Sequence, residues 1–251
     1  MAERRDFRIT LAYDGTDYEG WQLQPNSPTI QGEVEASLAR IAGRRIVLTG
    51  ASRTDSGVHA RGQVASFTWD HPLPADRIPM ALNAGLRPDI RVLECVEAPG
   101  FDARRDCVSK TYSYTICNAR VADPFTRRYA AHVPRRLDIE PMRAAAGLLT
   151  GEIDLSAFAP VETVRELGAR GGVRTISLAQ WDLDGGHLVF RISGSGFLRY
   201  SIRTMVGAMV EIGRGSLALS DLESAILSRS RPALKSATMP AHGLCLCQVR
   251  Y

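Results

Sequence analysis

The sequence predicts an α+β protein made of two halves that share one order of elements, β-α-β-β-α-β. Three observations support this fold class: segments that alternate apolar and polar residues, segments with apolar residues at helical spacing, and the same succession of both in each part of the 251-residue chain. This order is the ferredoxin-like or RRM-like arrangement, in which an antiparallel sheet leaves one face free for a partner. Two such sheets set edge to edge would form a central cleft.

The first predicted half spans residues 1–102 and opens with a strand over residues 7–13, where apolar and polar side chains alternate. A helix follows from Ser27-Pro28, because proline is favoured in a first helical turn. Its apolar stripe consists of Ile30, Val34, Leu38 and Ile41. The remaining predicted elements are strands over 46–48 and 64–67, a helix over 75–84 and a strand over 92–96.

The second predicted half, residues 103–251, repeats this order without repeating the residues themselves. It begins with a strand over 110–117 and a helix over 140–149, followed by strands over 175–181 and 188–192. Helices over 197–212 and 220–227 precede a closing strand over 244–249. Residues 161–172 are charged and rich in glycine, which predicts a mobile loop near the ligand.

The positive charge of the chain is concentrated in its second half. Residues 1–102 hold 11 basic and 14 acidic side chains and the remainder holds 20 and 13, so the two parts carry −3 and +7. Such a field suits a polyanion such as nucleic acid, since each phosphate contact releases counterions. Solvated surface charge is the alternative. Genomic base composition could also explain the arginine excess, because Lys110 and Lys235 are the only lysines.

Membrane spans, export and zinc sites are not expected from the composition. No apolar run approaches the roughly 18 residues of a membrane span, and the start MAERRDFRIT lacks an apolar segment behind its arginines. The five cysteines are odd in number and lack CxxC spacing, which argues against a metal site. We therefore expect a cytoplasmic protein in a reducing compartment.

A carboxylate and a guanidinium lie two residues apart in a polar loop between predicted strands 46–48 and 64–67. The loop reads Ser52-Arg53-Thr54-Asp55-Ser56-Gly57-Val58-His59-Ala60. A fixed cation beside a carboxylate lowers the pKa of the acid and holds its orientation, which suits an acid that acts in its ionised form. Aspartate and glycine are also ordinary turn residues, so a purely structural turn is the alternative.

The longer string resembles the catalytic signature of the tRNA pseudouridine synthase A (TruA) family, whose usual form is Gly-Arg-Thr-Asp-Ala-Gly-Val-His-Ala. Ser52 and Ser56 replace the usual glycine and alanine. Further stretches resemble the family in the same order over nearly the whole chain: Tyr13-Asp14-Gly15 with Tyr18-Glu19-Gly20-Trp21-Gln22, Lys110-Thr111-Tyr112-Ser113-Tyr114, Phe197 to Gly207, and His242-Gly243-Leu244. In the third of these, Ser201 and Ile202 replace the usual methionine and valine.

The resemblance implies that Asp55 is the catalytic aspartate, that Arg203 is the cation paired with it, and that Tyr112 stacks on the target base. A uracil must leave the helical stack before its glycosidic bond is cut, so the pocket needs a flat aromatic face and cationic contacts to phosphate. Tyr112 shares a strand face with Tyr114, and ordinary core packing of this tyrosine pair is the alternative.

Three further residues complete the substrate-binding set that the resemblance implies. Arg53 would help hold the extruded nucleotide, and Leu244 would form an apolar floor under the base. Arg199 lies four residues before Arg203 and shares its face of the predicted helix, opposite an apolar stripe. Plain solvation of the two helix arginines and core packing of Leu244 are the alternatives.

The implied reaction is a redox-neutral rearrangement that needs no cofactor. The Asp55 carboxylate attacks the nucleotide, the bond from ribose C1′ to uracil N1 breaks, and the base turns and rejoins through C5, which loses its proton. Attack at C6 of the base and at C1′ of the sugar both remain open. By resemblance the substrate is the tRNA anticodon stem-loop, with target uridines at about positions 38 to 40. The implied working form is a homodimer.

Two rival functions come from other classes. A nucleotide-dependent oxidoreductase is suggested by Gly194-Ser195-Gly196, but Arg199 stands where the dinucleotide fingerprint needs its third glycine. The more serious alternative is a non-catalytic RNA-binding protein built on paired RRM-like sheets. No RNP1-type string is present, which counts against this second alternative.

Overall fold

The computed structural model describes residues 4–167, 171–234 and 236–251. Contacts along the backbone divide the chain into two compact units. The first contains Met1–Val108 and Cys245–Tyr251, and the second contains Ser109–Leu244. No helix in the described part of the chain is both long enough and apolar enough to cross a membrane.

Both units combine strands with helices, as the α+β prediction requires. The strands are β1 (Arg5–Tyr13), β2 (Thr49–Gly50), β3 (His59–Trp69), β4 (Ile90–Glu97), β5 (Ser109–Cys117), β6 (Ala131–His132), β7 (Gly151–Asp154), β8 (Val173–Asp184), β9 (His187–Gly194) and β10 (Leu244–Arg250). The helices are α1 (Ile30–Ala42), α2 (Ile78–Asn83), α3 (Ile139–Gly147), α4 (Val161–Arg165), α5 (Ser201–Gly213) and α6 (Leu219–Ser228).

The first unit is built around β3, which has β1 on one edge and two strands in succession on the other. β1 pairs antiparallel with both β3 and β4. On the second edge of β3, β2 pairs at Ser66 and Ala65, and β10 pairs in parallel at His59 and Ala60. Gly62 permits this approach, since a Cβ there would lie 2.4 Å from the Cys247 carbonyl oxygen.

Helix α1 covers the core of the first unit as its apolar stripe predicts. Ile30, Val34 and Leu38 are fully buried. The helix begins two residues later than Pro28, because the side chain of Thr29 accepts the Gly32 N–H and so caps its first turn. It ends at Gly43, which adopts the left-handed conformation that glycine tolerates.

One predicted strand of the first unit was wrong. Residues 46–48 alternate between buried and exposed side chains, yet the paired strand is Thr49–Gly50. The Leu48 N–H donates to Glu35 Oε1 at 3.1 Å, and its carbonyl accepts from Gln31 Nε2 at 3.2 Å. The backbone hydrogen bonds of Leu48 therefore go to α1 side chains and not to a neighbouring strand. The predicted helix over 75–84 starts with a 3-10 turn before α2.

The second unit contains an antiparallel sheet in the order β5-β9-β8-β7, with β6 parallel to the outer edge of β5. Its core includes the fully buried Phe190 and Met209. Helix α5 is buried along almost its whole length, which leaves Arg203 as a charged side chain on a mostly apolar helix. Gly207 allows the following chain to pack closely, because a Cβ there would lie 2.1 Å from the Ala237 carbonyl oxygen.

The structure corrects two expectations for the second unit. Residues 197–200 precede α5, because Tyr200 adopts a left-handed backbone (φ 62°) just before the helix begins at Ser201. Within residues 161–172, predicted as a mobile loop, Val161–Arg165 form α4, and residues 168–170 lie outside the described ranges. Residues from Cys245 onward group with the first unit, where β10 pairs with β3.

Candidate active site

The loop that carries Asp55 joins β2 to β3 in the first unit. The Val58 N–H donates to the Asp55 carbonyl at 3.1 Å, and Gly57 has a left-handed backbone (φ 76°). This is the turn that the sequence predicted. The Asp55 side chain is half-buried, and Arg53 is exposed. The carboxylate therefore stands at the surface of its unit on a closed backbone turn.

Buried polar side chains from β1 and β3 hold this loop from below. Gln63 is fully buried and forms two hydrogen bonds with the backbone of Ser52. Its Nε2 donates to the Ser52 carbonyl at 2.7 Å, and its Oε1 accepts the Ser52 N–H at 3.3 Å. The Tyr13 hydroxyl shares a hydrogen bond of 2.8 Å with Thr54 Oγ1. The residues on the amino-terminal side of Asp55 are thus fixed by the sheet.

A second loop, residues 14–21, packs against the Asp55 loop through two glycines. The Trp21 N–H donates to the Thr54 carbonyl at 3.0 Å. Gly20 has φ 86°, and a Cβ there would lie 2.5 Å from the Thr54 carbonyl oxygen. A Cβ on Gly15 would lie 2.1 Å from the Val58 carbonyl oxygen. Only glycine permits both approaches, so these two positions help set the backbone around Asp55.

Tyr112 lies on β5 of the second unit, directly opposite Ile192 of β9. Its side chain is 6% exposed, and the ring of Phe197 meets it edge-on, with centroids 5.4 Å apart and planes at 87°. Tyr114, on the same strand, is fully buried and donates its hydroxyl to the Pro240 carbonyl at 2.8 Å. Burial raises the pKa of Tyr114, so its phenol stays neutral.

Two arginines converge on the ring of Tyr200 at the start of α5. The guanidinium carbons of Arg199 and Arg203 lie 4.6 Å and 5.2 Å from the ring centroid, within range of cation–π attraction. Arg199 is exposed and donates to the Tyr200 hydroxyl at 2.7 Å. Arg199 precedes α5, so the two arginines do not share a helix face as predicted. They lie close together because both contact the ring of Tyr200.

Residues 236–240 run alongside α5 and hold Arg203 in place. Arg203 Nε donates to the Met239 carbonyl at 2.7 Å, and the Met239 N–H returns a bond to the Arg203 carbonyl at 3.2 Å. Leu244, a few residues further on, is buried at 6% exposure.

Arg231 is a residue of this region that the sequence analysis missed. Its guanidinium donates to the Phe158 carbonyl at 3.0 Å, to Thr204 Oγ1 at 2.8 Å and to Thr238 Oγ1 at 2.7 Å. It thereby ties α5 to the segment that contains Met239. Arg231 begins a short 3-10 helix, where no periodic pattern marks it, and only its contacts identify it.

A sequence model described as tRNA pseudouridine synthase matches residues 9–105 and 145–251, which cover most of both units. The chain belongs to the tRNA pseudouridine synthase family. A relative from Moorella thermoacetica, named tRNA pseudouridine synthase A, is 44% identical over 247 residues, which cover 97% of this chain and 98% of the relative. Relatives of the same name are 42% identical in Halalkalibacterium halodurans, with 94% and 89% covered, and 41% identical in Geobacter sulfurreducens, with 98% and 100% covered.

The candidate residues are distributed unevenly over the ranges that match the tRNA pseudouridine synthase family. Arg53 and Asp55 lie in the first matched range, and Arg199, Arg203 and Leu244 lie in the second. Tyr112 falls in residues 106–144, between the two ranges. The relatives nevertheless align with this chain over nearly its full length.

Two cysteines of this family member contribute little chemistry at neutral pH. A hydrogen bond with Cys247, followed by burial, raises the pKa of Cys245 far above its ordinary value, so this thiol stays protonated and unreactive. Burial raises the pKa of Cys95 to about 12. Within the three described ranges, His, Cys, Asp and Glu side chains form no group of three or more that could hold a metal ion.

Proposed function

We propose that this chain converts uridine to pseudouridine in tRNA, with Asp55 as the catalytic carboxylate. The observation that carries the proposal is the family match across both units, which includes the loop that presents Asp55 on a turn braced by Gln63. Relatives named tRNA pseudouridine synthase A support the substrate class. The half-buried position of Asp55 suits an acid that contacts a nucleotide while its backbone stays fixed.

In the proposed reaction the ionised Asp55 carboxylate adds to the target nucleotide and splits one hard step into easier ones. The bond from C1′ to N1 breaks, the freed uracil turns, and C5 bonds to C1′. The bond between Asp55 and the nucleotide then breaks, C5 loses its proton, and N1 gains one. Substrate and product are isomers, so no oxidant or co-reactant enters. Arg203 is proposed to pair with Asp55, because a neighbouring guanidinium lowers the pKa of a carboxyl group and keeps it ionised.

The other site residues are proposed to hold the extruded nucleotide. Tyr112 supplies an aromatic ring for base stacking, which is typically worth about 1–3 kcal/mol per base, and the T-shaped contact with Phe197 holds that ring in position. Arg53 and Arg199 are exposed cations suited to phosphate contacts. Leu244 supplies an apolar surface under the base.

The finer architecture is part of the same proposal. We take residues 1–102 and 103–251 as two ferredoxin-like halves around a central cleft. Two sheet orders support this assignment: β4-β1-β3 with β2 on the free edge of β3, and β5-β9-β8. Both agree with the strand sequence expected of a split β-α-β unit. A cytoplasmic homodimer that acts on the anticodon stem-loop completes the proposal.

The proposed function is tested by incubating the purified chain with an unmodified tRNA transcript and mapping pseudouridine at single-nucleotide resolution. We expect conversion of uridines at about positions 38 to 40, in a loop whose bases are open to extrusion. A transcript with cytidine at these positions serves as the control. A transcript that is bound but never converted would favour the non-catalytic RNA-binding alternative.

A further inference from the structure

We propose that residues 118–137 of the second unit, here called the basic loop, bind the phosphate backbone of tRNA and stack one base on Phe125. The inference rests on the proposed function and adds to it a contact surface outside the candidate active site. The loop lies between the two ranges that match the family model.

The basic loop carries a charge equal to that of the whole chain. It contains one carboxylate, Asp123, and five arginines, which makes +4 in residues 118–137 against +4 for all 251 residues. The arginines are Arg120, Arg127, Arg128, Arg135 and Arg136, and all five are exposed. A concentration of one sign of charge on one loop raises the local density of an anionic partner.

Four of these arginines have no carboxylate partner in the described part of the chain. Some of the other described arginines do form ion pairs with acids: Arg5, Arg8, Arg44, Arg45, Arg77, Arg87, Arg105, Arg143, Arg191, Arg214 and Arg229. Among the described residues, no ion pair involves Arg120, Arg127, Arg135 or Arg136. The Asp123 carboxylate instead accepts the backbone N–H of Phe125 at 2.9 Å. Four guanidinium groups are therefore available to phosphate.

The loop is a folded platform with a fixed base. β6 pairs with the end of β5, and the Asn118 amide donates to the carbonyls of Val133 and Arg135 at 2.6 Å and 2.8 Å. The His132 ring bonds to the Ala119 carbonyl at 2.9 Å. Because these bonds use backbone groups at both ends of the loop, its arginines project from a surface that is already ordered, which lowers the entropy cost of binding.

Exposed apolar side chains accompany the arginines. Phe125 is 90% exposed, and Tyr129 is 50% exposed. An aromatic ring held in water on a cationic surface suits the stacking of an unpaired base, for which every base offers a flat face. A cavity of about 240 Å³ beside the loop is lined in part by Thr126, Arg127 and His132, which gives it hydrogen-bond donors on one wall.

The position of the loop suits contact with the same RNA that reaches Tyr112. The loop follows β5 directly, and Tyr112 lies five residues before Cys117 on that strand. At about 3.3 Å per residue the separation is about 17 Å, which a stem of several base pairs covers. A second copy of this chain is a less suitable partner for the loop, because two such surfaces would oppose like charges.

The test is the salt dependence of tRNA binding by the full chain. The variant Arg127→Gln/Arg136→Gln removes two unpaired charges, and the control Arg44→Gln/Arg77→Gln removes two exposed arginines that pair with acids. Each phosphate contact adds about 0.7 to 0.9 to the slope of log affinity against log salt. We expect the slope of the loop variant to be shallower by about 1.4 to 1.8, with affinity on the order of 20-fold weaker at about 0.15 M salt. The control should match the parent.

A second variant separates stacking from charge. Phe125→Ala should weaken binding about 5- to 150-fold while leaving the salt slope unchanged, because it removes an aromatic face and no charge. Leu227→Ala, at 84% exposure elsewhere in the unit, is the matched apolar control and should bind like the parent. Because both test positions are exposed, neither change removes core packing.

The outcomes distinguish this inference from the proposed function. If the double arginine variant has the parental slope of log affinity against log salt, the proposed phosphate contacts are wrong. If Phe125→Ala binds tRNA with parental affinity, the proposed stacking contact is wrong. If the arginine variant no longer self-associates but keeps the parental salt slope of tRNA binding, the loop contacts a second copy of this chain. That result would also overturn the proposal. Conversion by the parent chain is measured in parallel, so its absence would reject the proposed function while the binding comparison still stands.

Discussion

Arg203 and Met239 are joined by two hydrogen bonds, from Arg203 Nε to the Met239 carbonyl at 2.7 Å and from the Met239 N–H to the Arg203 carbonyl at 3.2 Å. The first bond fixes the plane of the guanidinium, and the second fixes the backbone beneath it. A charged side chain on a mostly buried helix is thus held in one orientation, as a residue proposed to position a carboxylate requires.

Replacing Arg203 with lysine should impair catalysis although the charge is kept. A lysine ammonium is a single point charge and lacks the planar fork of donors whose Nε bonds to Met239. We expect kcat/KM for tRNA to fall about 10- to 150-fold, the equivalent of one charge-assisted hydrogen bond of about 1.5–3 kcal/mol. Arg199→Lys, at an exposed position, should lose less. Equal losses in the two variants would argue against a special role for Arg203.

Arg231→Met should loosen the segment that holds Arg203. It removes three hydrogen bonds from a half-buried cation and leaves the buried Thr204 hydroxyl with fewer partners. We expect the free energy of unfolding to drop by about 2 kcal/mol and kcat at saturating tRNA to fall about tenfold, or about 1.4 kcal/mol in the barrier. Urea unfolding and single-turnover rates measure the two effects.

The control for Arg231 is Arg77→Met, which removes an exposed ion pair with Asp76 and should cost less than about 1 kcal/mol. If Arg231→Met unfolds more easily but converts tRNA at the parental rate, Arg231 is structural and does not position Arg203.

Gln63→Leu should destabilise the Asp55 loop, because it removes the two hydrogen bonds to the backbone of Ser52. Leucine fills a similar volume but leaves the N–H and carbonyl of Ser52 without their partner. Unsatisfied groups of this kind cost about 1–3 kcal/mol each, and we expect a lower free energy of unfolding together with reduced conversion. Gln248→Leu, at an exposed position of β10, should leave both quantities unchanged. A stable and active Gln63→Leu variant would show that the loop does not depend on this brace.

The buried thiol of Cys95 should make the free energy of unfolding decline as the pH rises above 9. Burial, with smaller contributions from the charges of Glu94 and Glu97, raises the pKa of Cys95 from 9.0 to about 12. The unfolded thiol loses its proton first, so this contribution to stability is complete below pH 9 and is lost as the pH rises from 9 through 12. The slope should reach up to about 1.4 kcal/mol per pH unit. Urea unfolding of Cys95→Ala under reducing conditions should show a shallower decline, and identical declines would contradict the assignment.

The sequence predicted the fold best where periodicity alone determines the structure. The stripe of Ile30, Val34 and Leu38 lies in the core, and β1 alternates as expected. Periodicity failed at residues 46–48, because alternation tells which side chains are buried and not which groups pair the backbone. The backbone groups of Leu48 form hydrogen bonds with the side chains of Gln31 and Glu35, and β2 begins only at Thr49.

The sequence predicted the motif that contains Asp55 but not the contacts that hold the site residues in place. The turn around Asp55 followed from local residue types. The brace from Gln63 joins residues 11 positions apart, and Arg231 reaches Phe158 across 73 positions, so neither contact leaves a local pattern. The left-handed backbone of Tyr200, which breaks the predicted helix, is rare for a residue other than glycine and cannot be read from sequence period.

The most direct test of the catalytic role of Asp55 is the release of tritium from tRNA labelled at uracil C5, because the proposed rearrangement must expel that proton. Asp55→Asn keeps the shape of the side chain and removes its negative charge, and Asp76→Asn, at an exposed position, is the control. We predict that both variants bind tRNA, that Asp76→Asn releases tritium at the parental rate, and that Asp55→Asn releases none above background. Release by Asp55→Asn at the parental rate would contradict the account.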